Sequence, residues 1–152
     1  MAKKTLKRGV DFIGITCTFF CHDGKGNFLL NKRSQKCRDE RGTWDCGSGA
    51  LKFGESFEEG TRREVREEYG VEIKKLQQVQ VRNVLRTNHE GEQTHWVAIV
   101  FTCLIDAKKV KNGDPDKIEE LRWFHYSELP TPLHSQFEHH FEAVRKSGIL
   151  PK

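Results

Sequence analysis

The stretch from Gly49 to Val71, GALKFGESFEEGTRREVREEYGV, constrains the fold more than any other part of the chain. Ser56 followed three residues later by Glu59 is the spacing of a capping box, so a helix starts there. Gly70 stands where a helix ends on a left-handed residue. The spacing therefore predicts a helix over Phe57 to Tyr69. Its residues Phe57, Thr61, Val65 and Tyr69 recur at i, i+4 and form a narrow stripe suited to packing on a sheet. Glu64, Glu67 and Glu68 fall at i, i+3, i+4 on another face, with Glu55 just before the helix.

Like charges at this spacing cost ~0.2–0.5 kcal/mol per pair, by analogy with the favourable pairs of similar size. Spacing alone leaves two readings, a solvated charge-rich face or a cation site. Carboxylate oxygens without nearby Cys or His suit hard Mg²⁺ or Mn²⁺ better than zinc. Arg63 lies beside the cluster and can hold one carboxylate through a bidentate pair.

Length and charge set the frame. The chain has 152 residues, enough for one domain with its own core, and residues 1–9 form a basic segment expected to be a flexible tail. The formal charge of +4 is mildly basic, which fits a small phosphate-rich ligand and does not argue for a nucleic-acid polymer as partner. Five cysteines without a CxxC pair are expected to be reduced thiols of a cytoplasmic protein, with Cys17 and Cys21 buried strand residues rather than metal ligands beside His22. The apolar run VDFIGITCTFFC follows a basic start, but Asp11 interrupts it and it is too short to span a membrane.

Val10 to Arg33 has the pattern of a hairpin turning at HDGKGN. VEIKKLQQVQVRNVLRT alternates enough for one or two strands. HWVAIVFTCLI is a continuous apolar run, as expected of a strand covered on both faces. ELRWF is a further strand. Leu133, Phe137, Phe141 and Val144 lie on one side of a final amphipathic helix, and His134, His139 and His140 are expected on its surface. Strands on either side of one acidic helix, followed by a terminal helix, point to an α/β fold with a mixed sheet between helices.

The Gly49–Val71 segment resembles the Nudix box, G-x5-E-x7-R-E-U-x-E-E-x-G-U with U a bulky apolar residue. Gly49, Glu55, Arg63, Glu64, Val65, Glu67, Glu68, Gly70 and Val71 fill its fixed positions. The resemblance implies an α/β/α sandwich and divalent-metal-dependent hydrolysis of a nucleoside diphosphate linked to another group. It implies Glu67 and Glu68 as metal ligands with Glu64 a third ligand or the base, Arg63 as their orienting partner, and Glu55 in support. The backbone carbonyl of Ser48, just before the box glycine Gly49, is a further implied ligand. The sequence departs from the frequent W-x-x-P-G-G of the family at Gly47 and Ser48.

Among substrate contacts, Arg33 matches the end-of-strand arginine of MutT-type relatives. Lys52 meets a phosphate or solvent. Trp123 stacks on a base or packs in the core, and the same holds for Trp44 and Trp96. Glu119 or Glu120 supplies an extra acidic group or lies solvated on a strand edge. The markers of ADP-ribose and dinucleoside-polyphosphate enzymes, a proline or tyrosine about fifteen residues past the box, are absent. A MutT-like nucleoside triphosphate pyrophosphohydrolase is the leading expectation. ADP-ribose or nucleotide-sugar hydrolysis and a non-catalytic nucleotide sensor are the alternatives, and a homodimer is compatible with each.

Overall fold

A strand that is apolar on both faces belongs in the middle of a sheet, and β1 (Gly14–His22) is buried along most of its length. It runs parallel to β6 (Gln93–Leu104), pairing from Gly14 with Trp96 through His22 with Leu104. The computed structural model describes residues 3–151. The remaining elements are β2 (Asn27–Arg33), β3 (Trp44–Asp45), β4 (Gly47–Ala50), α1 (Phe57–Tyr69), β5 (Lys75–Thr87), β7 (Ile118–His125) and α2 (Phe137–Lys146), with a 3-10 turn at Ala107–Lys109. The strands form one mixed sheet with β3-β2-β1-β6-β5 as its main path, β4 on β1 and β7 on β2.

The expected hairpin forms, but β1 and β2 pair only at its closed end, Cys21 with Leu29 and His22 with Phe28. Beyond that point the segment Trp44–Ala50 runs between them. It pairs first with β2 through Asn31 and Lys32, then with β1 through Thr16 to Phe19. The sheet is thereby split on the side where the acidic helix begins.

Helix α1 occupies the predicted residues. Ser56 Oγ accepts from the Glu59 N–H at 3.0 Å, and Gly70 closes the helix at φ 67°. Thr61, Val65 and Tyr69 of the stripe are fully buried, whereas Phe57 at the open end is 39 % exposed. Val65 and Tyr69 pack with Phe19, Cys21, Leu29, Ile99 and Phe101 on one sheet face. On the other face Phe20, Phe28, Leu30 and Val100 meet Phe137, Phe141 and Val144 of α2. The molecule is an α/β/α sandwich, as expected. The segment after α1 is one strand, β5, with a bulge between Gln78 and Gln80. All five cysteines are free and buried, and no described helix is long and apolar enough to cross a membrane.

The basic N-terminal segment falls partly on residues 1 and 2, which lie outside the described residues. From Lys7 onward it is docked: Lys7 N–H bonds Asp11 Oδ2 at 2.7 Å, and the Gly9 carbonyl accepts from His95 N–H at 2.8 Å.

The expectation of surface histidines near the last helix is corrected by packing. His134 precedes the helix with its side chain only 10 % exposed, and His140 is buried. Arg82 Nη1 lies 3.2 Å from His140 Nδ1. Because Arg82 donates, Nδ1 accepts and the ring is held neutral. Burial, reinforced by Arg82, lowers the His140 pKa to about 3 from 6.5. The folded state thus resists a proton that the unfolded chain accepts, so stability is complete above about pH 6.5 and falls as pH drops through that value towards 3. Urea unfolding at pH 7 and pH 5 should show this loss, and His140→Gln, which keeps an acceptor for Arg82, should reduce it.

Candidate active site

The carboxylates of α1 are gathered by one guanidinium. Arg63 Nε and Nη2 donate to the two Glu55 oxygens at 2.6 and 2.9 Å, and Nη1 donates to Glu64 at 2.7 Å and Glu67 at 3.3 Å. Its Nη2 also reaches the Ala50 carbonyl at 3.2 Å, tying the helix to the loop that precedes it. The bidentate pair pulls the Glu55 pKa down to about 2. Glu64 behaves oppositely, since burial raises its pKa against the pull of Arg63.

Two glycines make this packing possible. A Cβ on Gly49 would sit 2.0 Å from Glu64 Cδ, so the Glu64 carboxylate lies directly over the loop backbone. A Cβ on Gly47, where the family frequently has proline, would meet the Phe19 ring at 1.9 Å. At Gly47 the Phe19 ring thus leaves no room for a Cβ.

Two clefts meet at this loop. The carboxylate cleft, of about 850 Å³, is lined by Glu64, Glu67 and Glu68 together with Asp114 and Lys117. The second, of about 690 Å³, lies on the α2 side of the sheet over Thr16, Thr18, Val84, Trp96 and Ala98. Arg33, Arg38, Asp39, Asp45, Cys46, Ser48, Gly49 and Ala50 line both. The two clefts therefore share a wall and adjoin where Trp44–Ala50 passes between β1 and β2.

Of the residues singled out in the sequence, Arg33, Ser48, Gly49, Glu64, Glu67 and Glu68 come together here. Arg33 is held by Asp39, with Nη2 to Oδ1 at 2.8 Å. Lys52 and Trp123 do not join them. Lys52 is exposed outside both clefts; its backbone N–H donates to Glu55 Oε1 at 2.8 Å and its carbonyl accepts from the Glu55 N–H at 3.1 Å. Trp123 pairs with Leu29 across β2 and β7 and packs against the α1-side core. Strand alternation explains this, because Leu29 faces α1 and its cross-strand partner must do the same. Trp44 is buried against Phe124, and Trp96 is the tryptophan that lines the α2-side cleft. Glu119 and Glu120 pair with Lys32 and Arg122 and line neither cleft.

Asp45, Asp114, Lys117 and Arg86 escaped the sequence reading, and His134 was expected on the surface, since they come from segments that carry no motif. Asp45 is buried at the junction, and burial raises its pKa against the pull of His134 and Arg33. Asp114 and Lys117 arrive with the loop that closes the end of α1, where Gly113 N–H bonds the Glu68 carbonyl at 2.8 Å. Burial pushes the half-buried Glu68 carboxyl well above its ordinary range, with Glu64, Asp114 and Asp45 adding to the effect and Lys117 opposing it.

This mutual repulsion among oxygen donors is the environment that a hard divalent cation relieves, so the residues fit such an ion. Among the described residues no three His, Cys, Asp or Glu side chains converge closely enough to enclose a metal. Arg63 instead holds Glu64 and Glu67.

The NUDIX domain model matches residues 14–145. The chain belongs to the Nudix family. Nucleoside triphosphatase NudI of Enterobacter sp. (strain 638) is 30 % identical over 112 residues, which cover 70 % of this chain and 78 % of that relative. NAD-capped RNA hydrolase NudC of Salmonella paratyphi C is 28 % identical over 97 residues, but the match spans only 35 % of its length. Among solved structures, the MutT Nudix hydrolase from Burkholderia pseudomallei superposes with a TM-score of 0.76 at 28 % identity, covering 88 % of this chain and 98 % of that one. The Nudix box thus sits on the fold that carries it elsewhere.

Two substitutions separate the roles of the neighbouring glycines. Gly47→Ala should destabilise the fold by about 1–3 kcal/mol by overpacking Phe19, measured by denaturant unfolding. Gly49→Ala should displace Glu64 and lower phosphohydrolase turnover by about 100-fold, a loss comparable to misplacing a catalytic group by an ångström, with the circular dichroism spectrum unchanged.

Proposed function

We propose that the chain hydrolyses a nucleoside triphosphate to the nucleoside monophosphate and pyrophosphate, with Mg²⁺ or Mn²⁺ as cofactor. The observation that carries this reading is that the two clefts adjoin, with Arg33, Asp45 and Ser48–Ala50 lining both. A nucleoside in the α2-side cleft delivers its phosphate chain to the carboxylates of α1. The triphosphatase name of the NudI relative and the MutT name of the structural relative support the same substrate class.

In this reading Glu67 and Glu68, with Glu64 and the Ser48 carbonyl, hold the cation. When bound, the cation neutralises phosphate oxygens and lowers the pKa of an attacking water. Arg63 keeps Glu64 and Glu67 on one side of the cleft while Glu55 fixes Arg63 from the other. Glu64, packed against the Gly49 backbone, is restrained for metal ligation or for accepting the proton of the attacking water. Arg33, fixed by Asp39, presents positive charge where the two clefts meet. Trp96 supplies an aromatic wall to the nucleoside end. The proposed ligand is a small nucleotide, not a nucleic-acid polymer.

A turnover screen with Mg²⁺ across nucleoside triphosphates, oxidised forms included, together with ADP-ribose, nucleotide sugars and dinucleoside polyphosphates, tests the substrate. Pyrophosphate should appear with a nucleoside monophosphate. Turnover confined to ADP-ribose or a nucleotide sugar would overturn the triphosphate reading. Glu67→Gln should abolish Mg²⁺-dependent turnover with the fold intact, and full activity in that variant would remove Glu67 from the metal site.

A further inference from the structure

The segment between β2 and β3, residues 34–43, is rich in basic side chains, and the fold gives them different fates. Lys36 pairs with Asp116 at 3.2 Å. Arg41 Nε donates to the Cys37 carbonyl at 2.8 Å. Arg33, just before the segment, is bound to Asp39. Arg38 alone of these has no hydrogen bond or ion pair among the described residues, and it lines both clefts at their junction.

The backbone on either side of Arg38 is tied down. On one side Cys37 is buried, with its Sγ donating to the Lys117 carbonyl at 3.3 Å. On the other side Glu40 adopts φ 46°, a left-handed conformation that costs a non-glycine residue energy and persists only when its surroundings impose it. The surroundings do so. Glu40 accepts from the Ser135 N–H at 2.6 Å and the Ser135 hydroxyl at 2.9 Å, and it pairs with Arg86 at 2.5 Å and His134 Nε2 at 2.8 Å. The segment is thus bolted to the end of β5 and to the approach to α2.

We propose that Arg38 is a phosphate-binding residue, gripping the substrate's phosphate chain where the two clefts join, and that Glu40 is the positioning residue that holds it there. The assignment rests on the reading that a phosphate chain lies in the carboxylate cleft. A guanidinium free of protein partners retains its planar fork for two phosphate oxygens. Anchors on both flanks reduce the ordering cost of binding. A solvated arginine on a free loop would have the free fork without the anchored backbone, whereas the exposed Arg38 has both.

The test measures binding of inorganic triphosphate and of a nucleoside triphosphate by calorimetry, with Ca²⁺ replacing Mg²⁺ to suppress turnover. Arg38→Ala should weaken both about tenfold or more, as loss of a charged hydrogen-bond donor predicts, while the unphosphorylated nucleoside binds as to wild type. Arg38→Lys should recover part of the loss. Glu40→Gln should weaken triphosphate several-fold and raise KM with kcat unchanged, and the double variant should bind no more weakly than Arg38→Ala, because Glu40 acts through Arg38.

Equal binding of inorganic triphosphate by wild type and Arg38→Ala, or none by wild type, overturns the phosphate site. A Glu40→Gln effect as large in the Arg38→Ala background as in wild type overturns the positioning role. A melting temperature for each variant separates these results from unfolding. If wild type instead turns over a nucleotide sugar or ADP-ribose, the triphosphate reading fails, and the affinity of Arg38→Ala for that diphosphate still decides the fate of Arg38.

Discussion

The Arg63 guanidinium is the interaction on which the site depends. Four carboxylates within two helical turns and the preceding loop repel one another, and a permanently charged planar group can engage several of them at once. Arg63 holds Glu55, Glu64 and Glu67 and also bonds the Ala50 carbonyl, so the acidic helix is tied to the loop before it. At 17 % side-chain exposure it is shielded from the screening that makes surface ion pairs weak. Arg63 pulls the Glu55 carboxyl far down, while burial holds Glu64 up against the same guanidinium.

The second constraint is the split sheet. If β1 and β2 paired along their whole length, the two faces of the sheet would be sealed from each other. Instead Trp44–Ala50 enters between them, and its small residues keep the backbone thin where it passes Phe19 and Glu64. This segment is the common wall of a cleft on the α2 face and of the cleft lined by the carboxylates of α1. A nucleotide is long enough to use both, so the proposed chemistry follows from the topology as much as from the box.

Around the opening, polar groups from distant segments interlock. Asp39 pairs with Arg33 and Arg86, and Glu40 with Arg86, His134 and Ser135. These contacts convert a turn-rich segment into a fixed wall of the cleft and leave Arg38 as its unpaired cation among the described residues.

The sequence by itself determined the acidic helix to the residue, because caps and i, i+4 periodicity are local signals that the backbone obeys wherever the segment lies. It also determined the layered fold class, because a strand apolar throughout has to be covered on both faces. The Gly49, Arg63, Glu64, Glu67 and Glu68 set was legible for the same reason, being contained in one helix and its preceding loop. Tertiary structure alone decided which tryptophan lines the cleft: register with Leu29 turns Trp123 towards α1, while the alternation of β6 puts Trp96 on the α2 face. It also decided the burial of His140 and the placing of Asp45 beside His134 at the shared wall, with Asp114 on the carboxylate side and Arg86 on the α2 side, which no local spacing encodes, since long-range pairing and packing position those side chains.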